Sequence, residues 1–313
     1  MISIEHIRSI CSGRIAIGEP LARMTTFRVG GAADLYVEPM NTEEVLALSG
    51  YFRENEIPCM LLGNGSNVLI HDDGFRGAVI NLESGFSSIA VIDGYVSAGA
   101  GVRLSTYVDY CIRHGFSGTE ALAGIPGTLG GALIMNAGAY GSEISDGLVD
   151  VTVIRDSTVC VFAREQCGFR YRDSALRDDT VLSARFAHSQ GDVDEMKKRR
   201  RELLMKRNAA QPTSRPNAGS IFKNPESTHA ARLIEDCGLK GFTAGGASVS
   251  TLHANFIVGS EAATAADILA IVNHVRATVY RATGIALEME VLLVGFHDGA
   301  LVPLSRELEQ KTS

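Results

Sequence analysis

A chain of 313 residues that is 45% hydrophobic and 21% charged has the composition of a globular protein with room for two or three domains. Its net charge of −7 excludes a general nucleic-acid surface, so any phosphate must be bound locally. There is no apolar run of membrane-spanning length and no basic, apolar leader, and the six cysteines lack C-x-x-C spacing. These features point to a cytoplasmic protein with reduced, mostly buried thiols and no zinc or EF-hand metal site.

Residues 1–24 read as a mixed lead-in. Alternation at Leu35 and Val37 predicts a strand closed by Pro39. Asn41, with Glu44 three residues on, starts a helix whose stripe is Val45, Leu48, Tyr51 and Phe52. A short apolar strand at 58–62 then runs into Gly63-Asn64-Gly65-Ser66-Asn67, and Val68-Leu69-Ile70 resumes a strand. Strand, glycine-rich turn, strand is not the Rossmann order, in which G-x-G-x-x-G opens a helix; Val68 stands where the third glycine would be. No G-x-x-x-x-G-K-[ST] occurs either. The loop's amides, with Ser66 and Asn67, suit a pyrophosphate; a turn rich in Gly and Asn is the alternative.

Further on, 78–82 reads as a strand, and 89–92 and 95–98 as a hairpin across Asp93-Gly94. Leu104, Tyr107, Val108, Cys111 and Ile112 share a helical face that Gly115 ends. Gly124 to Gly141 holds six glycines among apolar residues, which suggests a tightly turned, buried backbone. Two readings fit it: a surface for a large phosphate-bearing cofactor, or a glycine-rich corner between packed strands. A second hairpin is expected at 149–154 and 158–162, and an extended segment at 181–186. Between them lies Phe169-Arg-Tyr-Arg-Asp-Ser174, where Arg172 has Asp173 or Asp179 as a surface partner in the simplest reading. The basic run Lys197–Arg201 falls on a helix from 192 to 208 and reads as a solvated face. Prolines 212 and 216 mark a linker. Helices at 229–237 and 265–283 follow, with strand character at 245–258 and a closing strand at 285–294. Residues 300–313 read as a frayed tail.

Six segments in order resemble one family: Thr25-Thr-Phe-Arg-Val-Gly-Gly31, Leu62-Gly-Asn-Gly-Ser-Asn-Val68, Gly124-Ile-Pro-Gly127 through Met135-Asn-Ala-Gly138, Tyr171-Arg-Asp-Ser174, Gly219-Ser-Ile-Phe222 and Leu287-Glu-Met-Glu-Val291. Over about residues 20–296 the chain resembles the UDP-N-acetylenolpyruvoylglucosamine reductases, in the shorter form of that family. The resemblance implies an α+β, three-domain FAD-binding fold of the vanillyl-alcohol-oxidase-like class. FAD-binding subdomains would span 1–59 and 60–205, and a substrate domain 206–299.

The resemblance also implies NADPH as hydride donor and UDP-N-acetylenolpyruvoylglucosamine as substrate, reduced to UDP-N-acetylmuramate. Gly63, Asn64, Gly65, Ser66 and Asn67 would face the FAD pyrophosphate. Gly124, Ile125, Pro126, Gly127, Gly130, Asn136, Ala137 and Gly138 would line the rest of the cofactor. Arg172, Ser220 and Glu290 would be catalytic, with Tyr171, Lys223 and Asn224 on the UDP-sugar. Without the resemblance, Glu288 and Glu290 could simply share the solvated face of one strand. The other readings are a different FAD oxidase or dehydrogenase of this fold, or a silent nucleotide-binding protein.

Overall fold

The computed structural model describes residues 2–304. The chain forms two compact units. The first combines the N-terminal segment up to Glu19 with Ala33–Asn64 and Arg76–Arg207; the second combines Pro20–Ala32, Gly65–Phe75 and the chain from Asn208 onward. The boundary falls inside the loop at 63–67, between Asn64 and Gly65. Each unit has its own apolar core.

In the first unit, strands Ile15–Pro20, Ala32–Val37, Phe75–Ile80 and Cys59–Leu61 form a four-stranded sheet in that order. Cys59–Leu61 runs parallel to Phe75–Ile80, with Met60 opposite Val79. The helix Thr42–Glu54 starts where expected: the Asn41 side chain accepts from the Glu44 N–H, and Val45, Leu48 and Phe52 are buried. The lead-in is more regular than its sequence suggests, containing the helix Ile4–Ile10 capped by Ser3. A five-stranded antiparallel sheet follows the order Thr158–Ala163, Leu148–Arg155, Thr180–Phe186, Tyr95–Gly99, Ile89–Ile92. Both predicted hairpins lie in it. The helix Leu104–Arg113 buries all five residues of its predicted stripe.

Tyr107 on that helix is fully buried, and its hydroxyl meets His188 Nε2 at 2.7 Å. Burial pushes the His188 ring below its ordinary pKa of 6.5, so the fold favours neutral imidazole. The unfolded chain takes up that proton first as pH falls. The stabilisation is therefore complete above about pH 6.5 and is lost as acidification continues toward the folded value. His253 and His274 are shifted the same way by burial. The urea midpoint is expected to fall between pH 7 and 5.5, and more shallowly in His188→Gln. An equal slope in the variant would remove His188 from this effect.

In the second unit, Val68–Ile70 pairs in parallel with Leu292–Val294, and Thr243–Ala244, Ala247–Val249 and Ile257–Gly259 form a small antiparallel sheet. The long helix Ala265–Thr283 packs Ile268, Ile271, Val272, Val275 and Val279 into the core. Its first N–H groups meet Asp72: those of Ala265 and Ala266 donate to the two carboxylate oxygens at 2.8 and 2.9 Å. Gly284 ends it at φ 75°.

Three expectations are corrected. Only Leu292–Val294 of the predicted closing strand is a strand; upstream, Met289 makes a single antiparallel bridge to Phe222. Residues at the start of the expected tail are held, since Asn273 bonds both the Ala300 carbonyl and the Val302 N–H at 3.0 Å. The rest of that tail, 305–313, lies outside the described residues. The six cysteines are unpaired, but only Cys11, Cys111 and Cys167 are buried.

Candidate active site

Strand Cys59–Leu61, the loop and strand Val68–Ile70 follow one another as the sequence predicts. In the first unit, Gly63 and Asn64 are shaped by residues far along the chain. The buried Asn81 amide donates to the Leu62 carbonyl at 2.8 Å, and its oxygen accepts from the Glu83 N–H at 2.8 Å. Arg103 donates to Asn64 Oδ1 and to Glu83 Oε2, both at 2.7 Å. The stretch at 124–141 is not all loop. Leu129–Ile134 is a short helix capped by Thr128, a feature its glycines hid from the sequence pattern.

Gly63, Leu82, Ala100, Thr128 and Gly130 line a slot of about 70 Å³. A Cβ on Gly63 would strike Thr128 Oγ1, and one on Gly130 would lie 3.0 Å from Ala100 Cβ. The missing Cβ atoms let Thr128 and Ala100 pack directly against the backbone that walls this slot. It admits an edge of a flat ring or a few chain atoms, so most of a dinucleotide would lie outside it. Asn136, also on this stretch, is buried at φ 42°, and its Oδ1 has no hydrogen-bond partner. An orphaned buried acceptor on the stretch whose Thr128, Gly130 and Ile134 line the slot fits a cofactor bearing N–H or O–H donors, as a flavin and its ribityl chain do. Gly63→Ala is expected to weaken FAD binding at least about tenfold, since the methyl must displace the Thr128 cap. A fluorescence titration giving unchanged affinity would contradict this.

The Tyr171-Arg172 segment is tied to the same stretch. Asn136 Nδ2 donates to the Arg170 carbonyl at 3.0 Å and to Glu143 Oε2 at 2.6 Å. Ser174 Oγ donates to the Ile134 carbonyl at 2.7 Å. Arg172 Nη2 donates to the Gly138 carbonyl at 2.8 Å, and its guanidinium carbon lies 5.0 Å from the Tyr171 ring centre. Asp173 pairs with Arg170 and Arg177, and Asp179 with Arg155. Arg177 holds the Asp173 carboxyl below the usual range. Arg172 sits at φ 52°, a conformation that an arginine holds only when its surroundings impose it.

In the second unit, Gly65 takes φ 56°, and a Cβ there would strike the backbone of Met24 and Thr25. Asn67 Nδ2 donates to the Glu290 carbonyl at 3.0 Å, and the Glu290 N–H donates to the Ile221 carbonyl at 2.8 Å. The second half of the loop, Glu290 and the Ser220 segment thus share one network. Glu288 and Glu290 do not occupy one solvated face: Glu288 is exposed and pairs with Lys223 Nζ at 2.6 Å, whereas Glu290 is half-buried. Lys223 is therefore an ion-paired rather than a free cation. The Asn224 Oδ1 accepts from the Ala230 N–H at 3.0 Å.

Ser220, Asn224, His229, Arg232, His253 and Asn255 line a cavity of about 620 Å³. Asn255, 3% exposed, clamps its floor: Oδ1 accepts from the Phe222 N–H at 3.0 Å, and Nδ2 donates to the Phe222 carbonyl at 2.8 Å. Nothing in the sequence around Asn255 marks it out, because its partners are 33 residues away. Asn255→Leu would leave both Phe222 groups unsatisfied, and a loss of roughly 2–4 kcal/mol in denaturant unfolding is expected. A loss below about 0.5 kcal/mol would show that the segment is held otherwise.

A glycine-lined slot without a Rossmann turn, an α+β scaffold and a separate unit carrying a polar cavity fit the non-Rossmann, vanillyl-alcohol-oxidase-like FAD-binding class that the sequence resembles. Residues 33–160 match the family described as "FAD binding domain", and 211–294 match "UDP-N-acetylenolpyruvoylglucosamine reductase, C-terminal domain". The chain is 43% identical over 305 residues to the UDP-N-acetylenolpyruvoylglucosamine reductase of Chloroherpeton thalassium, covering 95% of this chain and 98% of that one. It is 44% identical over 285 residues to that of Synechococcus sp., covering 88% and 92%. The crystal structure of the Thermus caldophilus reductase superimposes with a TM-score of 0.78 at 35% identity, covering 90% and 98%. The chain belongs to the UDP-N-acetylenolpyruvoylglucosamine reductase family and is a flavin-dependent oxidoreductase.

Proposed function

We propose that the chain reduces UDP-N-acetylenolpyruvoylglucosamine to UDP-N-acetylmuramate with electrons from NADPH, in the cytoplasmic synthesis of peptidoglycan precursors. The observation that carries this reading is the network joining Asn67, Glu290 and the Ser220 segment, which puts an expected cofactor loop and two expected catalytic residues on one frame. In this reading residues 1–59 and 60–205 clasp FAD and 206–299 carry the substrate.

Bound FAD supplies the two-electron chemistry, taking electrons from NADPH and giving them to the enolpyruvyl double bond. Gly63–Asn67 hold its pyrophosphate, and the Gly124–Gly138 stretch lines the remainder. As the substrate's C3 gains hydrogen, negative charge moves through C2 onto its carboxylate. Arg172 holds that carboxylate with a planar, permanently charged fork. Protonated Glu290 donates a hydrogen bond to the same developing enolate. Ser220 gives its hydroxyl proton to C2, and solvent in the cavity it lines replaces that proton. Tyr171 and Asn224 contact the UDP-sugar. Lys223, paired with Glu288, acts there as an oriented rather than a free cation.

Incubation with NADPH and UDP-N-acetylenolpyruvoylglucosamine is expected to yield a product two hydrogens heavier by mass spectrometry. NADPH consumption without that product would point to a related flavin oxidase.

A further inference from the structure

Arg103 has no part in the scheme above, yet it ties together three walls of the glycine-lined slot. Its backbone forms an antiparallel bridge with Thr128, which lines the slot. Bonds from the Leu104 N–H to the Gly127 carbonyl at 3.0 Å and from the Leu129 N–H to the Val102 carbonyl at 2.8 Å flank that bridge. Its side chain spans Asn64, on the loop, and Glu83, which also lines the slot. All of these residues belong to the first unit. Arg103 is moreover the N-cap residue of the helix Leu104–Arg113, a position where Ser, Thr, Asp or Asn would satisfy the first amides, and its side chain makes no capping bond. The helix forgoes a cap, and the charge goes to the loop. Asn64 and Glu83 take two of the five N–H donors of the guanidinium, and the side chain is 54% exposed, so donors remain for a ligand. A carboxylate lining a phosphate site repels its ligand unless a cation stands between them.

We propose that Arg103 is a direct ligand of the cofactor's diphosphate, held ready by Glu83. The inference rests on the placement of the pyrophosphate at 63–67 proposed above. A guanidinium offers phosphate oxygens a planar pair of charged donors, which the neutral loop amides do not. The diphosphate competes with Glu83 for that fork, while Asn64, a neutral acceptor, keeps the side chain at the loop. Arg103 thus selects a dinucleotide flavin over one that lacks the diphosphate.

The test is a pair of FAD titrations on the flavin-free full chain, followed by fluorescence. Arg103→Gln is expected to weaken FAD binding at least about tenfold, through loss of a charge-assisted contact and exposure of the phosphates to an unpaired Glu83. A smaller loss would overturn the proposal. Glu83→Gln separates a ligand from a strut. If Arg103 binds the diphosphate, removing the competing carboxylate leaves FAD affinity within about threefold of the parent or tightens it. If Arg103 only braces Asn64 against Glu83, this variant weakens FAD as well, and a loss beyond that range would overturn the proposal. The unsubstituted chain tests the premise separately: it should bind FAD more tightly than riboflavin, which carries no phosphate. Equal affinity for the two would defeat the placement of the pyrophosphate at 63–67 and the role of Arg103 with it.

Discussion

Ser220→Ala is expected to leave flavin reduction by NADPH within about threefold of the parent while slowing flavin reoxidation by the enolpyruvyl substrate by about 10²–10⁴, the usual range for losing a positioned general acid. The two half-reactions separate because only the second needs a proton at C2. Ser220 follows Gly219, at φ 76°, and precedes the buried pair Ile221 and Phe222, which Asn255 holds at both backbone groups. The hydroxyl is thus presented to the cavity by a fixed backbone, and removing one oxygen should leave the fold unchanged. Rapid-mixing absorbance of each half-reaction measures the effect. Equal slowing of both, or of the first alone, would withdraw the proton-donor role.

Arg172→Lys is the second large effect expected. Lysine keeps the positive charge and the same backbone, so the strain at φ 52° is common to both proteins and the comparison isolates the head group. What is lost is the planar fork, including the bond to the Gly138 carbonyl. Turnover should fall about 10²–10³-fold, as when a preorganised donor to a developing oxyanion is removed. The loss should lie in kcat more than in KM, because charge on the substrate carboxylate grows in the transition state. A rise in KM with kcat preserved would make Arg172 a substrate anchor only.

The parts of this site legible in the sequence are those set by local chain chemistry. Gly63 and Gly65 are conspicuous because a turn without side chains is written in adjacent residues, and the failed Rossmann test followed from the strand that resumes at Val68, where the third glycine would stand. The residues that hold those turns were not legible. Asn81, Arg103 and Asn255 act on partners 19, 39 and 33 residues away, and no spacing rule connects such pairs. Strand alternation at 285–294 misled in the same way: Glu290 sits in an irregular segment whose backbone is held by Asn67 and Ile221, a tertiary outcome that overrides local propensity. The short helix Leu129–Ile134 escaped because paired glycines at 130 and 131 oppose helix formation until the cap at Thr128 and core burial of Leu129 and Leu133 stabilise it.

The most direct measurement is anaerobic. The FAD-loaded protein is reduced with NADPH, UDP-N-acetylenolpyruvoylglucosamine is added, and the flavin absorbance is followed. Rapid return of the oxidised spectrum without oxygen is the predicted result, and it tests the electron donor, the cofactor and the acceptor in one trace. A flavin that stays reduced until air is admitted would contradict the account and remove the roles proposed for Arg172, Ser220 and Glu290.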